Sequence, residues 1–195
     1  MTVAALGRMD NPPVTAILSD MKFDTDIAIV GGGLNGPALA LALASSGLKV
    51  TVIDALPKAP RKADDFDGRS YALALTSVRL LESIGLWEAV ADNAQPMLEI
   101  KVTDGRAGEG TSPFFMHFDH AEIEEGPMGH MVEDRHLRRA LMDAVDANSH
   151  IEVLNSTEVT AQDADLTGIT LTFASGKQLR ARLCVGADGR TSGTA

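Results

Sequence analysis

A single cysteine, Cys184, is all that the 195 residues offer, so no internal disulfide can form and a reducing cytoplasm is the expected setting. Positive charge is also scarce. Lys and Arg number 17 against 27 Asp and Glu, a formal net charge of -10. Such a surface repels a phosphate backbone and has no general attraction to anionic lipid, which excludes nucleic acid as a partner. No apolar run is long enough to form a transmembrane segment, because the Ala/Leu stretch 38–44 is bounded by Pro37 and by Ser45-Ser46-Gly47. The first twenty residues lack the basic start, apolar block and small-residue cleavage site of an export signal. Residues 1–23 are therefore expected to be a mobile tail, with Met21, directly ahead of the first strand pattern, as a candidate translation start. Internal repeats and low-complexity segments are missing too.

What is present is a globular composition, 45% hydrophobic, with enough chain for one large domain or one and a half. Ile27 to Val30 and Val50 to Ile53 are continuous apolar runs, which suit strands buried on both faces of a parallel sheet. Between them Pro37 to Ser46 reads as a helix, with Pro37 in its first turn and Gly47 just past its end. This is a βαβ unit. The stretch 55–70, "ALPKAPRKADDFDGRS", has no periodicity and is expected to be a long loop. A helix opened by Thr76 or Ser77 and closed at Gly85 follows, with Val78, Leu81 and Ile84 inward. Short alternating runs, "LEIKVTD" and "FFMHFDH", predict antiparallel strands of a second, inserted region. The segment "EDRHLRRALMDAVDAN" returns to a helix with Leu137, Leu141, Ala144 and Val145 on one stripe. "IEVL" reads as a buried strand. The stretch 166–189 reads as a hairpin about Ser175-Gly176, with Ile169, Leu171 and Phe173 answered by Leu179, Ala181, Leu183 and Val185.

The spacing Gly31-x-Gly33-x-x-Gly36 sits directly after a strand and opens a helix. Gly31 permits a tight turn, Gly33 lets the backbone approach a diphosphate, and Gly36 allows helix and strand to pack closely. The amides around Leu34 and Asn35, at the positive end of the helix dipole, then face the anion. Asp54, eighteen residues beyond Gly36 at the tip of the second strand, is placed to accept hydrogen bonds from an adenosine ribose. Its charge would repel a 2'-phosphate, which argues against NADP at this site. The pattern predicts a dinucleotide and leaves FAD and NAD undistinguished.

Three further blocks, "DGRSYALALTSVRLLESIGLWEAV" (67–90), "MGHMVEDRHLRRAL" (128–141) and "CVGADGRTSGTA" (184–195), join the glycine fingerprint in order. Together they resemble the flavoprotein aromatic hydroxylases of the para-hydroxybenzoate hydroxylase class, and most of all the ubiquinone-biosynthesis hydroxylases of the UbiH type. The resemblance runs from Asp24 onward. It implies an α/β fold in which a Rossmann-like FAD-binding domain, residues 24–95 and 131–195, is interrupted at 96–130 by the first strands of an antiparallel substrate domain. It implies FAD as cofactor, NAD(P)H or another donor as reductant, and a phenolic or polyprenyl-phenol substrate. Other ubiquinone-biosynthesis proteins are implied partners, and the inner membrane surface is the implied place of work.

In that class a loop arginine reaches the FAD pyrophosphate, which maps to Arg69, a suitable guanidinium fork for phosphate oxygens. The class's GADG element maps to Asp188, near the pyrophosphate and ribityl region, with Gly189 allowing close approach. Its ENRHL appears as EDRHL, so Asp134 replaces an asparagine. Members of the class run about twice this length, so the chain is expected to be truncated relative to them and inactive alone, with no catalytic side chain to assign. A flavin dehydrogenase or oxidase, or a non-catalytic FAD-binding fragment, are the alternatives.

No metal site is expected. On a strand His117 and His120 point to opposite faces, so with Glu122, Glu124 and Glu125 they read as a solvated acidic edge. Cys184 lies among apolar residues with no base beside it and is expected to pack in the core. Leu86 and Trp87 are expected to close the core after Gly85.

Overall fold

The computed structural model describes residues 22–58, 66–105, 108, 110, 112, 114–123, 125–190 and 192–194. Most of the expected N-terminal tail, part of the expected loop 55–70, and Glu124 lie outside the described residues.

The expected βαβ unit is present. Strand β1 (Thr25–Val30) leads to helix α1 (Asn35–Ala44) and then to β2 (Val50–Ile53). Ala28, Ile29, Val50, Val52 and Ile53 are all at most 1% exposed, as expected of strands covered on both faces. On one face Ala40, Leu39 and Leu43 of α1 pack on Ile29, Val50 and Val52. Gly47 ends the helical segment with φ +81°, a conformation that favours glycine.

The main sheet has six strands in the order β8-β2-β1-β11-β10-β9, where β8 is Ile151–Leu154, β9 Val159–Ala164, β10 Ile169–Phe173 and β11 Gln178–Gly186. The first four strands run parallel, and β10 and β9 continue antiparallel. Leu171, Phe173, Leu179 and Ala181 form one buried cluster with Ala28, Val30 and Ile53 on the face opposite α1. The α/β class expected from the sequence is therefore found.

Several local expectations change. "IEVL" forms β8, an edge strand only half-buried, because β2 is its partner on one side. Leu183 is 54% exposed although Leu179 and Ala181, earlier on the same strand, are buried. The reason lies in the partners of β11, which pairs β10 through residues 178–181 and β1 from 181 onward, so its two ends meet different layers.

Beyond β2 the chain forms a three-stranded antiparallel sheet, β3-β7-β4, from Ser70–Ala74, Gly129–Glu133 and Ala94–Pro96. Helix α2 (Leu75–Ser83) begins directly after β3 with Ala74 at its N-cap, and the expected cap at Thr76 or Ser77 is not used. A short helix α3 (Glu88–Ala91) and the long α4 (Asp134–Ala147) complete this side. Leu81, Leu86, Val90, Val132, Leu137, Leu141 and Val145 make its core, with Leu34 and Leu41 of the glycine-loop region packed in. Trp87 meets His130 edge-on at 4.9 Å, in keeping with its expected closing role.

Strands β5 (Glu99–Thr103) and β6 (Phe115–Asp119) pair antiparallel in a sheet of their own. Ile100, Val102, Met116 and Phe118 share one face and are all exposed, while Glu99, Lys101, His117 and Asp119 share the other. His117 lies 3.3 Å from Glu99, whose carboxylate also takes Lys101 at 2.8 Å. His120 has left the strand and turns Nδ1 toward the carbonyl of Leu98 at 3.1 Å.

Because Leu141 is 1% exposed at the centre of the α4 core, Leu141→Ala should cost about 2–5 kcal/mol. Urea unfolding checks this, with a lowered midpoint and an unchanged slope expected.

Candidate functional site

A cavity of about 770 Å³ opens at the carboxyl ends of the parallel strands, within the roughly 300–1,000 Å³ range of ligand clefts. Gly31, Gly32 and Gly33 after β1, Asp54 after β2, and Asp188 and Gly189 after β11 all line it. That end of a parallel sheet is where helix starts and loop amides converge.

Each fingerprint glycine answers a different steric demand. Gly31 has φ +114°, and a Cβ there would lie 2.3 Å from the carbonyl oxygen of Ala187. A Cβ on Gly36 would stand 2.0 Å from the carbonyl oxygen of Gly31. Both positions therefore hold backbone against backbone. Gly33 differs: a Cβ there would meet nothing within 4 Å, so the space beside it stays open to the cavity. Leu34 occupies the N-cap of α1 and provides no side-chain cap, and Asn35 is exposed. The first amides of this helix thus carry the positive end of its dipole, and the N-cap residue Leu34 gives them no side-chain cap. These features fit a dinucleotide diphosphate.

Asp54 is 8% exposed, and its carboxylate accepts hydrogen bonds from the amide of Gly32 and, at 2.7 Å, from that of Leu56. It therefore shapes the glycine loop as well as bordering the cavity. Asp188 faces four donors at the chain's other end. Ser192 Oγ donates at 2.6 Å, Gly193 N at 2.9 Å, Thr194 N at 3.2 Å and Thr194 Oγ1 at 2.9 Å. Burial pushes its carboxyl pKa up, but the bonds from Ser192 and Thr194 outweigh this and hold it below the usual carboxylate range. The carboxylate is thus turned onto the 192–194 loop, and Gly193 and Thr194 of that loop line the cavity.

Leu34, Asn35, Gly36 and Arg69 do not line the cavity wall. The first three form the adjoining helix start. Arg69 is engaged by Asp67 and lies 3.6 Å from Asp134. Asp134 itself, 4% exposed, accepts from Tyr71 Oη at 2.8 Å and from Arg138 through Nε at 2.8 Å and Nη2 at 2.7 Å. Burial alone would raise its pKa. The bonds from Arg138 and Tyr71 and the charges of Arg138 and Arg69 prevail, so the net direction is downward.

Sequence reasoning missed one whole wall. Thr157 to Gln162, mostly on β9, line the cavity opposite the glycine loop. "VTAQDA" is an exposed strand with polar residues at half its positions, and the alternation of Val159 and Ala161 with Thr160 and Gln162 was its one signal. The Asp134 network was also unseen, since Tyr71 is 63 residues away from its partner. Cys184, expected in the core, is half-buried against its edge, with its thiol pKa pushed up by burial and by the charge of Asp188.

Gly31→Ala and Gly36→Ala should each lower stability by about 2 kcal/mol or more, and Gly33→Ala should stay within about 1 kcal/mol of the parent, all read by urea denaturation. Asp134 should contribute a pH dependence. With its folded pKa lowered, its stabilisation is complete above the usual carboxyl value near 4 and is lost as pH falls through the folded value. Asp134→Asn should therefore lose about 1.5–3 kcal/mol at pH 7 and show a shallower acid limb, measured by unfolding midpoints from pH 7 to pH 3.

Known proteins resemble this chain over most of its length. Ubiquinone hydroxylase UbiL of Rhodospirillum rubrum is 45% identical over 167 residues, covering 86% of this chain and 38% of that protein. The 3-demethoxyubiquinol 3-hydroxylase of Escherichia coli K12 is 37% identical over 172 residues, covering 86% of this chain and 42% of that protein. Among solved structures, PqsL of Pseudomonas aeruginosa, described as a probable FAD-dependent monooxygenase, shares the fold with a TM-score of 0.69 at 24% identity, covering 86% of this chain and 43% of its own. The chain thus spans about two-fifths of the length of these relatives. Residues 24–195 match the FAD binding domain family, and the chain belongs to it.

Proposed function

We propose that this chain is the FAD-holding portion of a flavin-dependent monooxygenase that hydroxylates a phenol carrying a polyprenyl tail in ubiquinone biosynthesis. The observation that carries the reading is the uncapped start of α1, set beside the open space at Gly33 on the wall of the cavity. Membership of the FAD binding domain family and the names of the two hydroxylase relatives support it.

Bound FAD would supply the redox chemistry, with NAD(P)H or another donor as reductant. The side chains have separate tasks. Amides of Gly33, Leu34 and Asn35 hold the diphosphate, and Gly31 and Gly36 keep the backbone close enough for them to do so. Asp54 accepts from the ribose hydroxyls, and its charge disfavours a 2'-phosphate there. Arg69 would offer its guanidinium as a fork for the diphosphate oxygens. Asp188 acts through the 192–194 loop that it orders, and Gly189 gives the cofactor close passage.

In this reading residues 24–95 and 131–195 form the FAD-binding domain, 96–130 begin the substrate domain, and the tail is 1–23. The apolar face of β5 and β6, Ile100, Val102, Met116 and Phe118, has chemistry suited to a prenyl tail. A substrate of that kind would bring the protein to the inner membrane surface, beside other enzymes of quinone synthesis. No helix among the described residues is long and apolar enough to cross a membrane.

The purified chain should show the two visible absorption bands of flavin, or acquire them on titration with FAD. Gly33→Ala should weaken that binding at least about tenfold while keeping stability within about 1 kcal/mol of the parent, since an added methyl meets the diphosphate and no protein atom within 4 Å. A colourless chain that takes up no FAD contradicts the proposal. Oxygen-isotope incorporation into a phenol by the whole enzyme separates a hydroxylase from a flavin dehydrogenase or oxidase.

A further inference from the structure

Arg69 stands away from the cavity wall, and a specific local turn holds it there. Its Nε donates to Oδ2 of Asp67 at 2.7 Å, its Nη2 bonds the same oxygen, and its backbone amide donates to Oδ1 at 3.1 Å. Gly68 between them has φ +85°, the left-handed conformation that folds the two side chains together. One carboxylate therefore engages both the guanidinium and the backbone of the same arginine. Asp134, 3.6 Å away, adds attraction, but its own short bonds go to Arg138 and Tyr71.

The location of this pair gives it consequence. Leu34, at the start of α1, packs in the same cluster as Tyr71 and Leu137. Helix α4, whose first residue Asp134 lies 3.6 Å from Arg69, packs against α1, and β3 shares their core. Arg69 is two residues ahead of Tyr71, with a side chain long enough to have more than one possible partner. A carboxylate and a phosphate offer a guanidinium the same pair of anionic oxygens.

We propose that Asp67 is an internal stand-in for the cofactor's diphosphate, occupying the Arg69 guanidinium in the ligand-free chain and yielding it when the phosphates arrive. The inference rests on the reading above in which Arg69 serves the FAD diphosphate. The side chains of Arg69 and Asp67 are 56% and 46% exposed, and an exposed pair is weak. Asp67 therefore tunes cofactor affinity by a small factor and keeps the hydrogen-bonding fork of Arg69 satisfied until loading. Its pKa is lowered, chiefly by the side-chain bond from Arg69, so the carboxylate is charged at neutral pH.

Titration of FAD by flavin fluorescence with the chain and its Asp67→Asn, Arg69→Ala and doubly substituted variants tests this, with riboflavin as a ligand that lacks the diphosphate. Asparagine keeps an oxygen to accept the Arg69 amide, so the turn survives while the competing charge is removed. Asp67→Asn should tighten FAD roughly two- to fivefold and leave riboflavin unchanged. Arg69→Ala should weaken FAD at least about tenfold, and adding Asp67→Asn to it should restore nothing. If Arg69→Ala weakens FAD but Asp67→Asn leaves it equal or weaker, the stand-in role is overturned and the Arg69 reading stands. Unchanged FAD affinity in Arg69→Ala overturns the Arg69 reading and the stand-in role with it, as does a chain that binds no FAD. A gain for riboflavin equal to that for FAD also overturns the proposal, because it would show a general effect of the substitution.

Discussion

Two backbone contacts that no side chain could permit hold the centre of this structure together. Gly31 lies against the carbonyl of Ala187, and Gly36 lies against the carbonyl of Gly31. The first contact fastens the end of β1 to the end of β11, and the second fastens the start of α1 to the end of β1. Strand, helix and returning strand therefore meet at one point at the carboxyl edge of the sheet. Everything proposed for the site depends on that point, because it aims the helix amides and leaves the open space at Gly33.

Around this core the charged residues act more on the chain than on open solvent. Asp54 ties the glycine loop to the residues after β2 through the amides of Gly32 and Leu56. Asp188 gathers Ser192, Gly193 and Thr194 into a wall. Asp134 joins β3 to α4 through Tyr71 and Arg138. Asp54 and Asp134 are buried and Asp188 half-buried, and such carboxylates are stable because several donors converge on each one; the positions of Asp54 and Asp188 in turn fix loops that border the cavity. Binding chemistry and loop architecture share the same residues.

The parts of the fold legible in the sequence were those specified locally. "IAIV" and "VTVI" could only be strands covered on both faces, and glycines at 31, 33 and 36 between a strand and a helix announced their turn. Helix α4 was equally plain from its apolar stripe. What stayed hidden depended on contacts distant in sequence. Strand β3 is a five-residue segment with weak alternation, held by its pairing with β7 some sixty residues on. Strand β9 is polar and exposed, and only its place beside β10 makes it a strand and a cavity wall. Leu183 looked like a core position by alternation, but β11 changes partners along its length. The acid pairing of Arg69 likewise required the geometry of the Gly68 turn.

The central claim is that the amides at the start of α1 receive a dinucleotide's linked phosphates. Amide-resolved NMR of the 15N-labelled chain during FAD titration tests it directly. The account predicts that Gly33, Leu34 and Asn35 show the largest amide shifts and saturate together with the flavin signal. Saturable FAD binding that leaves those three amides unmoved, with the shifts gathered elsewhere on the chain, would contradict it.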